Sequence, residues 1–145
     1  MNSVPLTRFD NLVVVLDPRA PDGGSSVALA SSLVGDEGLL HLAVPVNGPD
    51  AWPFVAFAES EGVGINEAAR RFLAQVAMRL DRPRVELEAI DGTELVADLA
   101  LLVAARGADA VVIPSDMAAS ILATKRSWGA APFPVVVAPA APAAA

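Results

Sequence analysis

The sequence predicts an α/β protein: a doubly wound, five-stranded parallel sheet in the order 3-2-1-4-5, with helices on both faces. Three observations lead there. Continuous apolar runs rich in valine, NLVVVL at 11–16 and PVVVAP at 134–139, read as strands of a covered parallel sheet. Between such runs lie segments whose apolar residues recur at the helical period, most clearly Ala69, Phe72, Leu73, Val76, Ala77 and Leu80. The two kinds of segment alternate along the chain, which implies parallel strands joined by right-handed crossovers.

The elements follow in order. Asn11 to Leu16 form the first strand, and DPRAPDGGSS after it is a loop broken by two prolines and two glycines. Ser25 or Ser26 is expected to cap a helix running to about Val34, with Gly35 and Gly38 ending it. LLHLAVPV, 39–46, is the second strand. Residues 47–65 read as irregular and carry Trp52, Phe54 and Phe57. Asn66 is expected to cap the next helix, with Arg70, Arg71 and Arg79 on its wet side. In RVELEAI, 84–90, Val85, Leu87 and Ala89 alternate with Glu86 and Glu88, the pattern of an edge strand with one face in water.

Thr93 is expected to cap a third helix with Leu95, Val96, Leu99, Leu102 and Val103 inward and Gly107 at its end. Ala110 to Ile113 form a short buried strand. Ser115 or Asp116 starts a fourth helix that ends near Trp128 or Gly129, and Pro134 to Pro139 form the last strand. Residues 1–139 are thus expected to make one domain, followed by an Ala/Pro tail at 140–145.

Composition narrows the function. The chain has 145 residues, 54% of them hydrophobic, and its mean hydropathy of +0.49 is too apolar for a disordered segment. No apolar run approaches the ~20 residues that span a bilayer. The most apolar stretch, Leu95 to Pro114, is interrupted by Asp98, Arg106 and Asp109. Met1 to Asp10 lack the pattern of a signal peptide, so the expectation is a cytoplasmic protein without membrane insertion. With no cysteine, disulfides, thiolate chemistry and cysteine metal sites are excluded. A metal site would need carboxylates around His41, the one histidine, and no ligand spacing is visible along the chain, so none is predicted. A net charge of −7 argues against nucleic-acid partners. The short basic groups, Arg79, Arg82 and Arg84, then Lys125 and Arg126, lie near helix ends and are assigned to the helix dipole.

Several pieces in this order resemble the universal stress protein family, over roughly residues 9–139. The first strand ends in Asp17. Ser25-Ser26-Val27-Ala28-Leu29 is similar to the family's Ser-x-x-Ala-Leu helix opening, after a loop a few residues longer. LVAARGADAVVI, 102–113, resembles its helix, Gly-Ala-Asp turn and fourth strand, and FPVVV, 133–137, its final strand. The family's phosphate loop follows strand four as Gly, two residues, Gly, nine residues, Gly, then Ser or Thr. Such glycines bring bare N–H groups to the phosphates. The matching positions here are Pro114, Met117, Ser127 and Trp128. Aligned on Gly129 instead, they are Asp116, Ala119 and Ala130. Pro114 has no N–H, and an Asp116 carboxylate ~4 Å from a phosphate would repel it by about 4 kcal/mol at an effective dielectric near 20. The resemblance therefore implies the fold but not ATP binding, and no cofactor is predicted.

The candidate ligand residues are Asp17, Gly23, Gly24, Ser25 and Ser115, at the carboxyl ends of strands one and four, where open α/β sheets hold ligands. The alternative is local: Asp17 accepting loop N–H groups, and the glycines forming a turn before a helix cap. His41 is expected to be buried and hydrogen-bonded, and no acid, base and nucleophile set is visible, so no catalytic residue is predicted. Trp52, Phe54, Phe57 and Trp128, with Val135, Val136 and Val137 of the last strand, are the interface candidates. In the resembling family that last edge often pairs across a two-fold axis. Two functions remain open. One is a non-catalytic binding or scaffold module, a homodimer or a docking partner in a larger complex. The other is a sensor of an adenine nucleotide, AMP or cyclic AMP, at the junction of strands one and four.

Overall fold

The computed structural model describes residues 9–20, 22–48, 51–115, 117 and 133–139. The expected fourth helix, with Asp116, Ser120, Lys125, Arg126, Trp128 and Gly129, and the 140–145 tail lie outside the described residues.

Five strands, β1 (Phe9–Val15), β2 (Val34–Pro45), β3 (Val85–Ile90), β4 (Ala110–Pro114) and β5 (Val135–Ala138), form one sheet in the predicted order β3-β2-β1-β4-β5. Every pairing is parallel. Helices α1 (Ser25–Leu33), α2 (Trp52–Glu61), α3 (Ile65–Leu80) and α4 (Leu95–Arg106) fill the connections from β1 to β4. Right-handed crossovers fix their sides. Chain moving from β1 to β2 to β3 steps one way across the sheet and leaves α1 and α3 on one face. The return from β3 to β4 puts α4 on the other.

The valine-rich strands make this possible because both faces are covered. Leu12, Val14 and Leu16 turn to the core under α1 and α3, which continues through Leu40, Leu42, Val44, Leu73 and Val76. Val13 and Val15 turn to a second core with Ala43, Ile90, Leu99, Leu102, Val111 and Ile113. Residues 12–16 are fully inaccessible to solvent, and each such side chain contributes roughly 1.5–3 kcal/mol of transfer free energy. Asp109 of the α4–β4 turn aligns the sheet: its Oδ2 accepts the backbone N–H of Asp10 (3.0 Å) and Asn11 (3.1 Å).

Local expectations are corrected in several places. Residues 52–61 are helical, not irregular. Pro53 falls in the first turn, where its missing N–H costs nothing, and Gly62 closes the helix with a left-handed backbone. Phe54 points inward and meets Phe72 of α3 edge-to-face, ring centroids 5.5 Å apart. The first helix gives way directly to β2 at Val34, so Gly35 and Gly38 lie within the strand. There the β1 register slips, from Phe9 opposite Val34 to Asn11 opposite Leu39. Arg82 donates to the carbonyls of Gly35 and Gly38, and Arg84 to that of Glu37 (3.1 Å). These two arginines hold the irregular stretch of β2 and do not cap a helix.

The caps also differ. The N-cap of α1 is Gly24, that of α3 is Gly64 and that of α4 is Glu94, none with a side-chain capping bond. Ser26 sits in the first turn of α1 and donates its hydroxyl to the carbonyl of Val15 (2.8 Å), joining helix to strand. Asn66 lies inside α3. The Thr93 hydroxyl turns back to Asp91 (2.7 Å).

Candidate functional site

Asp17 follows β1 and Ser115 follows β4, and these strands are neighbours, so the two segments singled out at the sheet's carboxyl ends do come together. The loop between β1 and α1 uses its polar groups on itself. Asp17 N–H donates to the carbonyl of Gly23 (3.0 Å), Ala20 N–H to that of Asp17 (3.1 Å) and Gly23 N–H to that of Ala20 (3.0 Å). Gly24 N–H donates to the Asp22 carboxylate (3.0 Å). The Asp17 carboxylate accepts the backbone N–H of Arg19 (3.0 Å) and its Nε (3.3 Å).

Glycine is needed here on two grounds. Gly23 and Gly24 have φ of +85° and +88°, and a Cβ on Gly23 would stand 2.6 Å from Val27 Cγ2. The turn packs on the core, and the amides of Asp17, Ala20, Gly23 and Gly24 are bonded within it. Ser25 is half-buried and makes no capping bond. Pro114, opposite Ala138 in the sheet, is buried, and Ser115 beyond it is half-buried. The geometry corresponds to the local reading of Asp17 and the Gly-Gly turn.

A second constellation was not legible along the chain. His41, in the middle of β2, is buried, with 1% of its surface exposed. It stands opposite Glu86 of β3, and Glu88 lies one alternation further on the same face. His41 Nδ1 is 4.0 Å from Glu86 Oε2 and 3.9 Å from Glu88 Oε1. Neither ring nitrogen has a hydrogen-bond partner, so the expected hydrogen-bonded histidine is corrected. Burial pushes the imidazole pKa below its usual value, the two carboxylates push it back, and Arg106 lowers it further.

Glu88 is also not on a wet face. Its side chain is 13% exposed and takes a two-point ion pair from Arg106, the last residue of α4: Nε to Oε1 at 2.9 Å and Nη2 to Oε2 at 3.3 Å. The signal available in the sequence was Glu-x-Glu on an edge strand, which places both carboxylates on one side. Only the strand register adds His41.

The interface candidates divide. Phe54 is 3% exposed and belongs to the core. Trp52 is 67% exposed, and Val55 and Ala56 share its side of α2, with Phe57 at the flank. On β5, Val135 and Val136 pack against the two cores, and Val137 is exposed. Among the described residues no helix is long and apolar enough to cross a membrane.

Strand order and covered faces define the chain as an open, doubly wound α/β protein. No protein-family model and no curated protein matches it. A solved structure of a universal stress protein in complex with cAMP is similar at 19% sequence identity and a TM-score of 0.44, covering 92% of this chain and 99% of that one.

Proposed function

We propose that the chain is a non-catalytic interaction module that binds a second copy of itself through β5. The observation carrying this is the edge itself. β5 is last in the sheet, pairs with β4 alone among the described residues, and reads Val-Val-Val-Ala with Val137 exposed. An apolar edge strand with a free side is a template for another strand. A two-fold axis beside it would satisfy both copies with the same contacts and join two sheets into one. Trp52 on α2 offers a further apolar contact for a larger assembly.

The β1–α1 loop favours a module that holds no phosphate at this turn, because Asp17, Ala20, Gly23 and Gly24 commit their amides to bonds within it. The test is light scattering across the micromolar range, with the Val137→Lys variant alongside. A dimer that the variant converts to a folded monomer is the expected result, and a strictly monomeric parent chain overturns the proposal. Calorimetry with ATP, AMP and cyclic AMP tests the nucleotide reading: no heat is expected, and saturable binding lost in Asp17→Ala would install the sensor in its place.

A further inference from the structure

We propose that His41, Glu86 and Glu88 bind one divalent transition-metal cation, with Zn2+ as the representative ion, on the α4 side of the β2–β3 pair. The three donor atoms all lie within 4.8 Å of one another. Zinc with ligands near 2.0–2.2 Å in tetrahedral array holds them about 3.4 Å apart. The present separations of 3.9 and 4.0 Å need only a small closure, and the Glu86 side chain, 54% exposed, is free to make it. Entry is from that exposed side.

The independent sign of a ligand is His41. A buried imidazole normally bonds through at least one nitrogen, yet here both lack a partner while Nδ1 faces two carboxylate oxygens. A cation between them accepts the nitrogen lone pair and neutralises the two carboxylates together. Burial disfavours the charged ring, and the neutral ring is the ligand. One imidazole and two carboxylates, without thiolate, form an intermediate donor set. It fits Zn2+ and its first-row neighbours better than Cu(I), which prefers sulfur, or Ca2+, which takes six to eight oxygens. Three protein donors leave a fourth position open.

Arg106 is the competitor. Its guanidinium holds both Glu88 oxygens, so the metal must share Oε1 or move the arginine aside. Arg106 has 44% of its side chain exposed and ends its helix, so it has somewhere to go. This gives the site a signature that a diffuse acidic surface lacks: removing one particular cation strengthens binding.

The experiment is calorimetric titration of the metal-stripped full chain with Zn2+, and with Co2+ for its visible spectrum. One saturable site per chain is expected, with Co2+ bands of a nitrogen–oxygen site. Glu86→Gln should weaken Zn2+ roughly tenfold or more while the metal-free protein melts as before. Arg106→Gln should tighten it, and Arg79→Gln, which removes the same charge from α3, should leave it unchanged. Absence of saturable binding overturns the proposal. So does Zn2+ affinity in Glu86→Gln equal to that of the parent, or equal affinities in the two arginine variants.

Discussion

Arg106 and Glu88 join the end of α4 to the edge strand β3 through two parallel hydrogen bonds, 2.9 and 3.3 Å long. The pair holds a strand margin where Glu86, Leu87 and Ala89 are all exposed and Ile90 alone is buried against α4. Salt screens such a half-exposed pair, so its share of global stability is small. Its effect should be local. Arg106→Ala is expected to speed amide exchange in Val85–Ile90 relative to β1 and β4, with the difference shrinking in high salt. Uniform exchange across the sheet would contradict this.

Phe54 and Trp52 stand two residues apart on α2 and have opposite surroundings. Phe54 is buried against Phe72, and Trp52 is 67% exposed. Phe54→Ala should lower the unfolding free energy by about 3 kcal/mol or more, the range for a buried aromatic. Trp52→Ala should change it by less than about 0.5 kcal/mol. Urea titration of the two variants distinguishes these outcomes, and a larger loss for Trp52→Ala than for Phe54→Ala would mean that α2 is turned the other way.

The contrast marks where the sequence was readable. A run such as NLVVVL announces its own burial, and four such runs, the alternating RVELEAI and the helical periods between them sufficed for the sheet order. WPFVAF was opaque because a helix packed on α3 rather than on the sheet needs only Phe54 and Ala58 inward, too few for a clear period beside its glycines and prolines. For Asp17 the sequence left a ligand contact and local bonds both open, and local bonds to Arg19 are present. His41 with Glu86 and Glu88 was not legible, since residues 45 and 47 positions apart meet only through parallel β2–β3 register, which no local pattern encodes. Thr93 and Ser26 were misjudged for a related reason: each hydroxyl had a competing partner, Asp91 for one and the end of β1 for the other.

Gly23 tests the turn that closes the sheet's carboxyl end. An alanine there must adopt a left-handed backbone, worth about 1–2 kcal/mol, and press into Val27, Val76 and Leu16, which adds about 1–3 kcal/mol. Gly62 has a similar φ of +67° with nothing within 4 Å of the added carbon. Gly62→Ala should therefore cost only the left-handed backbone, about 1–2 kcal/mol. Thermal or urea unfolding should rank the two variants in that order, and a Gly23→Ala variant no worse than Gly62→Ala would refute the packed turn.

Asp98 supplies the pH dependence. It sits in the first turn of α4 with Oδ2 buried and unpartnered. Burial raises its pKa, and the negative charges of Asp91 and Glu94 raise it further, outweighing the favourable helix dipole. A carboxyl whose folded pKa lies above its unfolded value binds its proton more tightly in the fold. The folded state is therefore penalised as pH rises from the ordinary carboxylate pKa through the raised one, and the penalty is complete at neutral pH. Asp98→Asn, which keeps the shape without the charge, should stabilise the protein at pH 7. That gain should fade as pH falls below the ordinary carboxylate range, where the parent residue is protonated in both states. Urea midpoints of the two proteins from pH 7 down to pH ~3.5 measure it. A gain that stays constant, or a loss at pH 7, would mean that the charge at this helix end is stabilising.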